Sequence, residues 1–345
     1  MASAEVTIYG AGIFGLSIAW ACQQRGAQVC VIDPGGPGAG SSGGIVGALA
    51  PHVPENWNEK KAFQLDSLVM AQAFWDEVDT ASGLSAGYAR TGRVQPIPDD
   101  RSLERAHQRT AGAASLWQGQ ATWEVTQNPP GSITPASPTG WYIFDTLSAR
   151  LHPRRACESL ASALRARGGE VIPDGPTQGH IIHATGAAGL IELSKDRPRM
   201  IGNGVKGQAA LLDFDAKTAP QLFVDGLHIV PHADGTTAIG STSERDYTSP
   251  DSTDALLDVR IEDARTALPE LRNAKVIERW AGLRPRSRSR APMLGAHPLR
   301  AGEYIANGGF KIGFGMAPKV AQVMADLVLE GQDRIPDGFK PDANL

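Results

Sequence analysis

Val6-Thr-Ile-Tyr-Gly10-Ala-Gly12-Ile-Phe-Gly15-Leu-Ser-Ile-Ala-Trp20 reads as a strand, a glycine turn and a helix, and Val29-Cys-Val-Ile-Asp33 as a second strand ending on an acid. Gly10, Gly12 and Gly15 fit the spacing G-x-G-x-x-G. Gly10 serves the tight turn, Gly12 lets backbone approach a pyrophosphate, and Gly15 lets the helix lie close on the strand. Phosphates then meet the positive end of the helix beginning near Ile13 and Phe14. Asp33 stands 18 residues past Gly15, where a carboxylate can accept hydrogen bonds from ribose hydroxyls. The unit predicts a dinucleotide site on a Rossmann-like sheet.

The rest of the chain narrows the class. Its 345 residues suit one large domain or two closely joined ones. The apolar share of 41% and charged share of 20% are those of a water-soluble globule, and a net charge of −4 gives no reason to expect nucleic acid. Cys22, Cys30 and Cys157 are scattered and odd in number, which points to neither a disulfide framework nor a metal site, and Cys22 and Cys30 fall on the apolar helix and strand above, where core thiols are expected. The apolar stretch near the N-terminus lacks a basic flank and carries Glu5, so it does not read as a signal peptide. No run is long and apolar enough to span a bilayer, and a reducing cytoplasm is the expected compartment.

Residues 35–47 hold seven glycines with Ser41 and Ser42 among them. They are either a flexible linker or a second loop whose bare backbone, through Ser41, Ser42, Gly43 and Gly44, approaches a large ligand. Helices are expected over 59–80, 103–117, 153–167, 256–268 and 317–329, the last with Pro318 in its first turn. Strands are expected over 91–98, 170–172, 181–184, 205–214, 222–231, 236–241 and 276–283, with 128–140 a loop. Glycine-rich turns recur at both ends of the chain. A discontinuous cofactor domain (1–50, 140–205 and 281–335) interrupted by an antiparallel substrate domain (51–139 and 206–280) accounts for this better than two sequential domains.

At this point five segments resemble the D-amino-acid oxidase family of flavoproteins, nearest its glycine oxidase and sarcosine oxidase branches. They are the Gly10/Gly12/Gly15 unit, Ser41-Ser-Gly-Gly44, Ala184-Thr185-Gly186, Trp280-Ala-Gly282-Leu-Arg284-Pro285, and Gly308-Gly309-Phe310-Lys311-Ile312-Gly313-Phe314-Gly-Met-Ala-Pro318. The resemblance spans nearly the whole chain. It implies an α/β (α+β) architecture: a discontinuous Rossmann-like FAD-binding domain of the glutathione-reductase type with an antiparallel-sheet substrate domain.

It also implies FAD rather than a nicotinamide. Asp33 and Pro34 would lie by the adenosine ribose, Thr177 by adenine, and Ser41–Gly44 along the pyrophosphate. Gly282, Arg284 and residues 309–315 would lie by the isoalloxazine, with the last helix aimed at its N1–O2 edge. With no cysteine near that end of the chain, the flavin is expected to be non-covalent. The implied reaction is oxidation of an amine or amino acid at the carbon bearing nitrogen, by hydride transfer to flavin N5 and hydrolysis of the imine. Arg284 would hold the substrate carboxylate, and Lys311 stands where sarcosine oxidases have a second carboxylate-holding lysine. His228 replaces a substrate-site tyrosine, and His52 follows Pro51; either is a site residue or a structural one.

The same half-reaction could serve an oxidase or a dehydrogenase passing electrons to a quinone or carrier; a non-catalytic flavin-binding accessory protein is the alternative of a different class. Thr177-Gln-Gly-His180 leaves little room for the β-meander usual in relatives. Arg284-Pro-Arg286-Ser-Arg288-Ser-Arg290 reads as a solvated basic loop, a receptor for an acidic substrate, or a phosphate grip.

Overall fold

The computed structural model describes residues 4–195 and 197–345. The N-terminal unit forms β1 (Val6–Tyr9), α1 (Ile13–Gln24) and β2 (Val29–Ile32). There follow β3 (Ala48–Leu49), α2 (Glu59–Ser82), β4 (Arg93–Pro96), α3 (Asp100–Leu116), β5 (Trp123–Thr126), β6 (Tyr142–Asp145) and β7 (Ala149–Arg150). Next come α4 (Pro153–Ala166), β8 (Glu170–Ile172), β9 (His180–His183) and α5 (Gly186–Ser194). The chain ends with β10 (Gly202–Asp213), β11 (Gln221–Val224), β12 (Leu227–Pro231), β13 (Thr237–Gly240), α6 (Ala255–Ala267), β14 (Lys275–Ser287), β15 (Met293–Ala296), β16 (Tyr304–Asn307) and α7 (Gly313–Glu330).

Two large sheets result. One has six strands in the order β15-β16-β9-β1-β2-β8, parallel except for β15. Its crossover helices α1 and α4 and the C-terminal α7 share one apolar core with α2. The helix α1 is buried on nearly every side, from Ile13 to Cys22, so apolarity all round replaces an amphipathic stripe. The other sheet has eight strands in the order β14-β10-β13-β12-β11-β4-β6-β5, antiparallel except for the β11–β4 pair. The helix α6 covers part of it, with Leu257 and Ile261 in a second core.

Local chemistry places the helix ends. Asn58, Asp99 and Asp254 each accept a hydrogen bond from a first-turn backbone N–H of α2, α3 and α6. Gly83 and Gly331 end α2 and α7 in the left-handed region, with φ of 68° at both.

Several expectations are corrected. The span 222–231 is two strands, because Asp225 (φ 47°) and Gly226 (φ 79°) make a tight hairpin turn between β11 and β12. The strand expected to stop at 283 continues to Ser287, held by β10 along its length, so Arg284 and Arg286 lie on a strand and only Arg288–Arg290 turn. The last helix begins at Gly313, which puts Pro318 inside it and not in its first turn. The strand β6 falls within the segment 140–205 yet joins the large sheet, and β10 and β14 run across the boundaries expected near 205 and 281.

Candidate active site

A cavity of about 580 Å³ runs between the two sheets, from Tyr9 and Asp33 at one end to Arg284 and Lys311 at the other. The glycine turn forms its first wall. Gly10 has φ +107°, and a Cβ there would sit 2.3 Å from the Ala184 carbonyl oxygen. A Cβ on Gly15 would sit 1.9 Å from the Gly10 carbonyl oxygen, so Gly15 packs helix on turn and lines nothing. Gly12 does line the cavity, where a Cβ would meet only Ser42 Oγ at 3.2 Å. Ser42 Oγ accepts from Ile13 N at 3.0 Å, so the serine–glycine loop caps α1 from outside the helix. Asp33 accepts from Ala11 N at 2.8 Å and Gly35 N at 2.9 Å, which orients its carboxylate and leaves lone pairs for a ligand.

Pro34, Ser41, Gly44, Ala184, Thr185 and Gly186 line the same cavity. Gly282, Gly309, Phe310, Gly313 and Phe314 line its other half. These features suit FAD: an elongated cavity, a glycine turn at the N-terminus of a helix, and an oriented acid at the sugar position. Of the expected contacts, Gly43 is turned away, its backbone against Gly38. Thr177 is outside the cavity too, its hydroxyl paired with that of Tyr9, so the rim contact on this side is Tyr9 itself. Ile312 lines a neighbouring space.

That neighbouring space, about 210 Å³, is bounded by Pro51, His52, Gln64, Arg93, Phe223 and His228, and Lys311 borders both cavities. It gathers His52, His228 and Lys311, residues far apart in sequence. Sequence reasoning passed over Arg93, Gln64 and Phe223. Arg93 is buried and its Nε bonds to buried Asp145 at 3.0 Å. A basic residue inside the expected strand 91–98 is its one available signal. Trp280, part of the Trp280–Pro285 motif, lays its ring against Gly44 and Gly282 at the cavity.

Arg284 is held by neutral oxygens. Its Nη2 donates to Ser241 Oγ at 2.5 Å and its Nη1 to the Thr242 carbonyl at 3.2 Å. The guanidinium lies over the bare backbone of Gly207, where a Cβ would come within 2.0–2.1 Å of Cζ and both terminal nitrogens. Among the described residues neither Arg284 nor Lys311 makes an ion pair. Burial pulls the Arg284 guanidinium down to about 10, and burial followed by Arg284 itself lowers Lys311. Two uncompensated cations facing a cavity need an anion. Arg286 and Lys311 both stand 5.7 Å from the Phe310 ring centroid, and of the basic run Arg284 lines the cavity.

The histidines near the site are neutral. Burial, then Arg93, Lys311 and Arg284, push His228 down to about 3, and its Nδ1 is buried without a partner. Burial also lowers His52, whose Nδ1 pairs with Gln64 Oε1. His232, outside the site with its ring tilted against that of His152, is likewise pushed down to about 3, by burial first. Between the ordinary 6.5 and about 3, the unfolded chain binds protons that folded His228 and His232 refuse. Stability should therefore fall on acidification below the ordinary histidine range, by up to about 1.4 kcal/mol per pH unit for each proton. Melting curves from neutral to mildly acidic pH will check this; His232→Gln should lose less than the parent over that interval.

No helix among the described residues is long and apolar enough to cross a membrane, and no group of three or more His, Cys, Asp or Glu side chains is placed to hold a metal. The three cysteines are free and buried.

The comparisons agree with this geometry. The chain is 22% identical to a glycine oxidase of Bacillus subtilis, covering 94% of this chain and 93% of the relative. It is 27% identical to a glycine oxidase of Pseudomonas putida, covering 99% and 100%. It is also 25% identical to the bifunctional protein ThiO/ThiG of Trichormus variabilis, of which it spans about half the length (53%). In structure it matches a glycine oxidase from Geobacillus kaustophilus (TM-score 0.83, 19% identity, 98% of each chain). It also matches an iminodiacetate oxidase from Chelativorans sp. BNC1 (TM-score 0.82, 20% identity, 97% and 98% covered). At these identities the structural matches speak for the fold alone. Residues 5–327 match the family described as FAD dependent oxidoreductase, and the chain belongs to that family.

Proposed function

We propose that this protein oxidises the carbon–nitrogen bond of a small carboxylated amine, an amino acid or N-substituted glycine. The observation that carries this is Arg284, a half-buried guanidinium held by neutral oxygens and facing the cavity with no ion pair among the described residues. FAD, bound non-covalently in the elongated cavity, supplies the hydride acceptor, and the imine formed on the amine hydrolyses in water.

The chain's residues do the rest. The fork of Arg284 takes the substrate carboxylate and Lys311 adds a second positive charge to the same anion. Neutral His228 offers an unpartnered Nδ1 as hydrogen-bond acceptor for the substrate nitrogen or its substituent. The substituent extends into the smaller cavity between Pro51 and Phe223. The cavity wall from Gly309 to Phe314 and the N-terminus of α7 present backbone dipoles to the electron-accepting end of the site. We assign cofactor binding to segments 1–50, 140–205 and 281–335 and substrate binding to 51–139 and 206–280, with β6 reassigned to the substrate side.

The test is anaerobic mixing of the FAD-loaded protein with glycine, sarcosine, iminodiacetate and D-amino acids while following the visible flavin band. Bleaching by one or more carboxylated amines is expected; decarboxylated analogues should react far more slowly. A protein that binds FAD yet is bleached by none, or equally well by amines lacking a carboxylate, would overturn the assignment. Air readmitted after bleaching separates an oxidase from a dehydrogenase.

A further inference from the structure

Lys206 is one of the largest fully buried side chains in the protein and a charged one. Its Nζ lies 3.4 Å from Asp254 Oδ2 and 3.6 Å from Glu244 Oε2. Gln208, two residues on, donates to Glu244 Oε1 at 3.0 Å and to Asp254 Oδ1 at 2.8 Å, and its Oε1 accepts from Asp254 N at 2.8 Å. Glu244 and Asp254 are the two ends of the segment joining the end of β13 to α6, whose middle residues Pro250 and Asp251 reach the large cavity. One buried cation thus clasps both ends of a loop that borders the site.

The start of this loop also holds Arg284. Backbone bonds tie Thr242 to Gln208 and Glu244 to Lys206. The Thr242 hydroxyl donates to Glu244, while its carbonyl accepts from Arg284. Side chains alternate along β10, so Lys206 and Gln208 project to one face and the Arg284 guanidinium lies over Gly207 on the other. One strand's thickness separates Arg284 from Glu244, the acid whose charge acts on it.

We propose that Lys206 is a positioning residue for substrate recognition: it neutralises Glu244 and keeps it on the far face of β10, so that Arg284 stays uncompensated and available to the substrate carboxylate. The inference rests on the assignment of Arg284 to that carboxylate. It gives a physical reason for a buried lysine whose desolvation an apolar residue would avoid. Without Lys206, the Glu244 charge competes with the substrate for Arg284.

The test uses the FAD-loaded protein, with acetate as a probe of the carboxylate site read by the flavin spectrum, and KM and kcat measured separately. Lys206→Met should raise the acetate dissociation constant and KM about tenfold, the effect of one charge acting over roughly 10 Å at an effective dielectric near 20, with kcat changed by less than about threefold. Adding Glu244→Gln to Lys206→Met should recover most of the loss, and Lys206→Arg should behave as the parent. Unchanged acetate binding in Lys206→Met, or a loss that Glu244→Gln does not recover, overturns the proposal. Should Lys206→Met fail to fold, Glu244→Gln alone decides. Acetate binding as tight as in the parent, or tighter, supports the proposal, and weaker binding refutes it. A parent protein that holds FAD but binds no acetate would instead refute the role of Arg284 itself.

Discussion

Gly207→Ala should remove substrate binding while leaving the fold and the flavin site in place. The new Cβ would occupy the space of the Arg284 guanidinium, at 2.0–2.1 Å from three of its atoms. The atoms in conflict are the far end of a flexible side chain, so the backbone of β10 need not move. The guanidinium must leave Ser241 and Thr242 and swing out of the cavity. Losing one partner of a charge-assisted pair in a partly closed site costs roughly 2–4 kcal/mol. That corresponds to a fall in kcat/KM of about 30- to 1000-fold. Steady-state kinetics on the best amine from the anaerobic panel, with circular dichroism and flavin content in parallel, checks the prediction. Normal kcat/KM in a folded Gly207→Ala protein would mean that Arg284 does not hold the substrate.

Gly15→Ala should fail more completely. Here the added Cβ meets backbone, at 1.9 Å from the Gly10 carbonyl oxygen and 3.1 Å from its carbon, with Ile8 Cγ2 at 3.3 Å. No rotamer relieves this. The helix α1 must be pried from the turn that precedes it, and α1 is buried against α4 and α7. Overpacking of this kind exceeds the roughly 1–3 kcal/mol typical of cores, because the strain falls on backbone. The expected product is aggregated, or melts far below the parent, and carries no flavin. Gly12→Ala is the informative partner. Its Cβ would touch only Ser42 Oγ at 3.2 Å, so the protein should fold, and the methyl group should weaken FAD binding from within the cavity. Melting temperature and bound flavin measured on both variants separate the packing glycine from the ligand glycine. Equal behaviour of the two would contradict the roles given to them.

Much of this fold is legible in the sequence. The apolar runs and punctuation of residues 6–33 mark β1, the turn, α1 and β2 because these signals are local: short apolar strands, glycine where backbone approaches backbone, and an acid at the strand end. The hairpin at Asp225-Gly226 is equally local, yet in sequence it looks like one strand, since a two-residue turn barely interrupts an apolar run. The extra length of β14 is not local. Arg284-Pro-Arg-Ser has the composition of a loop, and only its pairing with residues 202–205 of β10 makes it strand.

The chemistry divides in the same way. Residue order is enough for the glycine turn, the family resemblance, and the candidacy of Arg284, Lys311, His228 and His52. Tertiary structure alone decided that Lys311, His228 and His52 border one small cavity with Arg93, and that Thr177 stands outside the large one. It alone showed that a glycine two strand positions from Arg284 makes its seat, and that a buried lysine lies 3.6 Å from Glu244 on the other face of that strand. Residue identity sets what a side chain can do. Which charges are left uncompensated depends on distances between strands far apart in the chain, and those exist only once the sheets have formed.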